Sequence, residues 1–337
     1  MVNKITIDDV AKHAGVSKTS VSYVLSGKKK LSAEVERRIL EAVETLGYTP
    51  PKMVSRLNTK TPKTINFCLP LEKGTISNDP YYIPLIEGAM DYAFSCGYHL
   101  CITRITQGDE KAKKMFLDSL QFVKGVILCN LHKDVNYEQI LVEKNIPYVA
   151  NGTPDTINTK YYVDADIEGA GYQAASLLLK KGHTNIFYIN LDEDLIQSHH
   201  RLSGFKLAHK EFGVPWKDEN HAYCNVSLED STQLMDGILS RKNSQLSAVV
   251  TSNEIQAWGT IKALQKKKIQ IPQQVAVVSM GGSSLSVLGF PNITTIDFDP
   301  IRIGTESARM LIEVIERKRI RPSHIIVPGK LIERESS

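Results

Sequence analysis

From Thr64 onward the chain alternates short apolar runs with longer amphipathic stretches, and it does so twice over, which restricts its fold more than any other feature. The first round reads INFCLP, Pro84 to Cys96, HLCIT, Lys111 to Leu120, GVILC, Tyr137 to Glu143 and PYVA. The second reads YYVDA, Gly169 to Lys180, NIFYIN, His199 to Glu211, AYC, Glu229 to Leu239, SAVVT, Ile255 to Gln265 and VAVVSM. Short apolar runs between helical patterns predict parallel sheets covered by helices on both faces, an α/β doubly wound fold. Two rounds predict two similar lobes: lobe one about 64–160 plus 293–320, lobe two about 161–292 plus 321–334. The segments TTIDF, Ile301 to Ile315 and IIVP cross back between them. Open sheets of this kind bind ligands beyond the carboxyl ends of their strands, here in the cleft between lobes.

Residues 1–49 follow a different pattern. Thr6 is a good N-cap and Asp9 can reach back to it, so a helix should start at Ile7 with Val10, Ala11 and Ala14 on one face. Gly15 follows where a left-handed residue ends a helix, and Ser17 can cap a second helix that folds Val21, Val24 and Leu25 onto the first. Lys18, Thr19, Ser22 and Tyr23 then point outward. Such a helix-turn-helix offers the start of its second helix to base edges in the major groove. Ser32 can cap a third helix ending near Gly47, Pro50-Pro51 closes the small bundle, and Lys52 to Leu57 can form only a short hinge helix within a 50–63 linker.

The helix-turn-helix, the run LGYTP, a leucine seven residues after Pro50 and the long α/β domain together resemble the LacI/GalR family of bacterial transcriptional repressors. The resemblance covers essentially the whole chain and implies a periplasmic-binding-protein-like (type I) domain of residues 64–337 behind the DNA-binding head. It also implies a homodimer on a pseudo-palindromic operator, with Leu57 from each hinge wedged into the minor groove. The DNA-contacting set it implies is Thr6, Ser17, Lys18, Thr19, Ser22, Tyr23, Ser26, Lys30, Ser32 and Leu57. The family usually has Arg where Tyr23 stands, Asn where Ser26 stands and Ala-Arg-x-Leu where Val54-Ser55-Arg56-Leu57 stands, so base preference should differ.

The same resemblance implies a small sugar-like or sugar-phosphate effector held by Asp79, Tyr81, Tyr82, Asn151, Asp164, Asp166, Arg201, Asn253 and Phe298. Tyrosine rings stack on sugar faces, and a guanidinium holds vicinal hydroxyls or an acidic group. At Ser279-Met280-Gly281-Gly282 the chain departs from sugar-binding members, which carry acidic or amide residues there. Glycine accepts no hydroxyl protons, so Asn151 or Asp297 would have to supply the acceptor, the ligand would differ, or a protein partner would replace it as in the catabolite-control branch.

Charge agrees with this division. Residues 1–63 hold 12 Lys and Arg against 6 Asp and Glu, leaving 29 against 31 for the rest, so positive charge gathers at the DNA end. Five cysteines at 68, 96, 101, 129 and 224, with no Cys-x-x-Cys, read as buried thiols of a reducing cytoplasm. No signal peptide or membrane-spanning run is expected, and the protein is expected to be cytoplasmic and nucleoid-associated. No cofactor or metal is expected, since His199 and His200 point about 100° apart on a helix and lack a third ligand. The pattern Gly169-x-Gly171-x-x-Ala174 outlines a dinucleotide fingerprint, but the acidic DADIE before it opposes a phosphate, so no enzyme is expected.

Overall fold

The computed structural model describes residues 5–26, 31–46, 48, 63–70, 79–105, 109–129, 137–154, 159–241, 245–318 and 321–337, with Ser26 and Pro70 described by backbone alone. The chain divides into two compact units, Met1–Pro62 and Lys63–Ser337.

Among the described residues of the first unit, three helices pack together: α1 (Ile7–Ala14), α2 (Lys18–Ser26) and α3 (Ala33–Leu46). The Thr6 capping box is complete, with Thr6 N–H donating to Asp9 Oδ2 at 2.8 Å and Asp9 N–H to Thr6 Oγ1 at 3.4 Å. Gly15 ends α1 at φ 61, and Ser17 Oγ accepts from Ser20 N–H at 3.1 Å to open α2. Val10, Ala14, Val21, Ile39 and Ala42 are buried together where the three helices meet.

The second unit carries two six-stranded sheets. In lobe one, β1 (Thr64–Pro70), β2 (His99–Ile105), β3 (Val126–Cys129), β4 (Tyr148–Asn151), β5 (Tyr162–Ala165) and β11 (His324–Val327) run in the order β11-β5-β4-β3-β1-β2, all parallel. In lobe two, β6 (Ile186–Asn190), β7 (His221–Tyr223), β8 (Ala248–Thr251), β9 (Ala276–Gly281), β10 (Thr294–Asp297) and β12 (Lys330–Ile332) run in the order β12-β10-β9-β8-β6-β7. Only the last strand there, β12, is antiparallel to its neighbour. The central strands β1, β3, β6 and β8 are largely apolar because both faces are covered: on β1, Ile65, Phe67 and Leu69 enter one core while Cys68 enters the other.

Lobe allocation differs from the expectation drawn from the sequence. Strand β5 belongs to the sheet of lobe one rather than opening lobe two. Strand β10 belongs to lobe two, and the final pair divides, β11 pairing with β5 and β12 with β10. The chain therefore crosses between lobes three times: at Asp166, at Phe298-Asp299 and at Pro328-Gly329. Hydrophobic periodicity marks each strand but carries no information on which sheet completes its ladder, and for these two outer strands of each sheet the crossings decide it.

Paired helices cover the sheets, α4 (Tyr82–Ser95) with α11 (Pro300–Ile315) on lobe one and α7 (Ile167–Lys180) with α8 (Ile196–Glu211) on lobe two. Each pair approaches closely at glycines. A Cβ on Gly88 would stand 2.0 Å from the Ile301 carbonyl oxygen, and one on Gly204 would stand 1.9 Å from that of Glu168.

Candidate DNA-reading head and effector cleft

In the head, Ser17, Lys18, Thr19, Ser22 and Tyr23 are exposed at the start and along the outer face of α2, and Thr6 and Ser32 are exposed at the starts of α1 and α3. Lys18 Nζ meets Asp8 Oδ2 at 2.7 Å, an exposed pair that tethers α2 to α1 at little energetic gain. The side chain of Ser26, together with Lys30 and Leu57, lies outside the described residues. Sequence reasoning missed Arg38, whose Nη2 donates to the carbonyls of Ala14 and Gly15 and so satisfies the open end of α1 at the turn. Its place on the outer face of α3 gave no signal of that reach.

The cavity between the lobes gathers most of the expected effector residues: Asp79, Tyr81, Tyr82, Asn151, Asp164, Arg201, Asn253 and Phe298 all line it. The carboxyl ends of the central strands deliver them, as the doubly wound arrangement requires. Asp79 accepts from the backbone N–H of Tyr81 at 3.0 Å; burial raises its pKa, while Arg201 acts in the opposite sense. Tyr81 and Tyr82 meet edge to face with centroids 5.7 Å apart, and burial pushes the Tyr81 phenol well above its ordinary pKa. Asn151 donates to Ser307 Oγ at 3.2 Å. Asp164 accepts from Thr153 N–H and Oγ1, both at 2.7 Å, and from Ala165 N–H at 2.8 Å. Burial raises its pKa, and those hydrogen bonds oppose the rise.

Asp166 stands apart. It is not among the cavity-lining residues but caps α7, accepting from Gly169 N–H at 2.9 Å at the first crossing. Asp297, offered as a substitute acceptor, accepts from Asp299 N–H at 2.8 Å and does not line the cavity.

Arg201 is the central feature. It is buried, with 7% of its surface exposed, yet its Nε and Nη1 have no hydrogen-bond partner among the described residues. Asn253 is similar: Oδ1 caps α10 (Glu254–Lys266) by accepting from Gln256 N–H at 2.9 Å, while Nδ2 is buried and unpartnered. Unmet buried donors cost about 1–3 kcal/mol each, so these two residues are candidate contacts for a ligand's oxygens.

Comparison with known proteins agrees with this architecture. Residues 6–51 match the model for bacterial regulatory proteins of the lacI family, and residues 175–337 match the periplasmic binding protein-like domain. The chain is 30% identical over 318 residues to the HTH-type transcriptional repressor PurR of Aliivibrio fischeri (strain MJ11), covering 93% of this chain and 92% of that protein. The chain belongs to the LacI family. This LacI-family chain is also 26% identical over 333 residues to the HTH-type transcriptional regulator CelR of Thermobifida fusca, covering 98% of each. The solved transcriptional regulator CelR-cellobiose complex superposes with a TM-score of 0.76 at 25% identity, covering 99% of this chain and all of that one.

The LacI-family chain is accordingly a DNA-binding transcriptional regulator, and its relatives are regulators rather than enzymes. Its apparent dinucleotide fingerprint has a packing explanation. Gly169 lies against the Asp166 cap, and a Cβ on Gly171 would stand 2.2 Å from the Arg201 carbonyl oxygen. Among the described residues no cluster of His, Cys, Asp and Glu could hold a metal, and no helix is long and apolar enough to cross a membrane.

Sequence reasoning also missed Glu254. It is buried in the cavity wall and accepts from Gly282 N–H at 2.7 Å, Thr295 Oγ1 at 3.0 Å and Ser283 Oγ at 3.0 Å. Burial raises its pKa against those hydrogen bonds. In the sequence it is simply an acid in the first turn of a helix, a position where acids are common for electrostatic reasons.

Proposed function

We propose that this regulator represses carbohydrate-utilisation genes and is switched by a small sugar-derived effector in the interlobe cavity. The observation that carries the reading is the pair of buried donors without partners, on Arg201 and Asn253, facing two tyrosines and Asp79 across one cavity. An oxygen-rich ligand meets every one of those groups: the guanidinium and amide donate to it, Asp79 accepts from it and the tyrosine rings lie against it.

The protein acts as a homodimer whose two heads read half-sites of an operator. The outer side of α4 supports this, since Ile83, Met90 and Phe94 recur at helical spacing and are exposed, Phe94 by 79%. Thr6, Ser17, Lys18, Thr19, Ser22, Tyr23 and Ser32 approach the major groove and its phosphates, joined by Ser26 and Lys30, while Leu57 enters the minor groove. Effector binding changes the angle between the lobes at their three crossings and so alters operator affinity.

The test is operator binding by the full chain, followed by fluorescence anisotropy, with a panel of sugars and sugar derivatives added. The expected result is specific binding that one class of compound changes at least about fivefold. A chain that binds no DNA segment more tightly than random duplex, or that ignores the whole panel, would refute it.

A further inference from the structure

The two walls of the cavity differ in hydrogen-bonding character. Among the described residues of lobe two, the unpartnered buried polar atoms lining the cavity are all donors: Nε and Nη1 of Arg201 and Nδ2 of Asn253. The one buried acid of that wall, Glu254, is committed elsewhere. Its Oε1 takes Gly282 N–H and Thr295 Oγ1, and its Oε2 takes Ser283 Oγ.

Residue 281 cannot restore the missing acceptor. Gly281 has φ +152, where side chains are strained, and a Cβ there would stand 2.6 Å from Glu254 Oε2. The carboxylate of Glu254 thus occupies the space that a side chain at 281 would need. Glycine at 281 and glutamate at 254 form a matched pair, and the pair removes a free acceptor from the wall.

That removal selects among oxygen ligands. A hydroxyl brings one proton along with its two lone pairs, and the donors of Arg201 and Asn253 cannot take that proton, so it must find an acceptor elsewhere or go unmet at a cost of about 1–3 kcal/mol. A carboxylate offers lone pairs only, and a guanidinium binds it through parallel charge-assisted hydrogen bonds. We infer that Glu254 sets the effector specificity of this cleft, and that the effector is a sugar acid whose carboxylate meets Arg201 and Asn253 while its hydroxyls face lobe one. Asp79 on the lobe-one wall, whose carboxylate takes the Tyr81 N–H, provides the complementary acceptor side, and Asp164, whose oxygens are taken up by Thr153 and Ala165, adds its carboxylate beside it. The same two acids oppose a doubly charged phosphate ester, which distinguishes the two sources of a proton-free acceptor.

This inference rests on the effector reading proposed above and is tested on the full chain with four probes: sodium gluconate, sodium glucuronate, glucose and glucose 6-phosphate. Melting temperature and operator affinity are the readouts. At least one of the two acids should bind about tenfold or more tightly than glucose and glucose 6-phosphate, raising the melting temperature and changing operator affinity where the others do neither. Arg201→Lys keeps the charge but loses the planar fork, and should weaken the acid by about tenfold or more. Glu254→Asp draws the carboxylate back from the loop and leaves it lone pairs to spare, so the preference for acid over glucose should narrow by about tenfold. Glucose or glucose 6-phosphate matching or exceeding both acids would overturn the inference while leaving a sugar-derived effector in place. Silence of both acids, with some other sugar active, would overturn it equally. Silence of every sugar tried would overturn the effector reading as well.

Discussion

The carbonyl oxygen of Arg201 lies where a side chain on Gly171 would have to go, 2.2 Å from the position of its Cβ. The contact sets how far α8 stands from α7, and with it the depth at which Arg201 enters the cavity. Gly171→Ala would gain about 1 kcal/mol from helix propensity, but pressing a methyl group into backbone costs about 1–3 kcal/mol. Packing should win, lowering the urea midpoint of the second unit; a raised midpoint would mean that the two helices separate freely.

Arg201 should be a burden on the protein without its ligand. Its effect on Asp79 and Asp164 is the last of the causes acting on each, well behind burial, so little attraction offsets the cost of its own unmet donors. Arg201→Met, similar in volume and uncharged, should stabilise the free protein by on the order of 1 kcal/mol and abolish the sugar response. Differential scanning calorimetry checks the first half, and a lower melting temperature would contradict it.

Lobe two should lose stability on acidification because of His221. Burial, with Lys206 nearby and only Asp218 opposing, lowers its pKa from 6.5 to about 4. The ring packs 4.6 Å from that of Tyr223 and 5.6 Å from that of Tyr188. The unfolded chain takes up the proton first as pH falls, so the His221 contribution to stability is present above pH 6.5 and is lost progressively between 6.5 and about 4. His221→Phe should flatten the dependence of the urea midpoint on pH across that window; an unchanged slope would assign the loss to other groups.

The head should depend on Arg38. Removing its hydrogen bonds to the Ala14 and Gly15 carbonyls leaves the end of α1 open, at a cost of about 1 kcal/mol. Arg38→Met should therefore weaken operator binding several-fold while the thermal transition of the second unit stays in place. Loss of affinity confined to one operator sequence would instead point to a direct base contact.

What could be read from the sequence was what local chemistry encodes. Thr6, Asp9, Gly15 and Ser17 announce the helix-turn-helix because each acts on backbone groups within a few residues of itself. Arg201 and Asn253 were legible only through the family resemblance, and both line the cavity. Asp166 was expected at the ligand, but its side chain is taken up in capping α7 through Gly169 N–H. Glu254 was not legible, because its importance depends on Gly281 and Thr295, residues 27 and 41 positions away that meet it only after the sheet is assembled. The lobe boundaries were obscured for the same reason: nothing within YYVDA or TTIDF names the strand it will pair with.

The three crossings between lobes also bear on how the protein is made. Lobe one is not complete until β11 at residues 324–327 has joined β5, and lobe two waits for Ser336, which donates to the Val277 carbonyl and accepts from Thr294 N–H at 2.9 Å. Domains generally fold as units while a chain emerges from the ribosome. Here the head can close once residues 5–48 have emerged, whereas both halves of the cleft stay open until residues 324–336 have followed. A frameshift shortly before residue 324 would therefore spare the part that reads DNA and destroy, in both lobes at once, the part that listens.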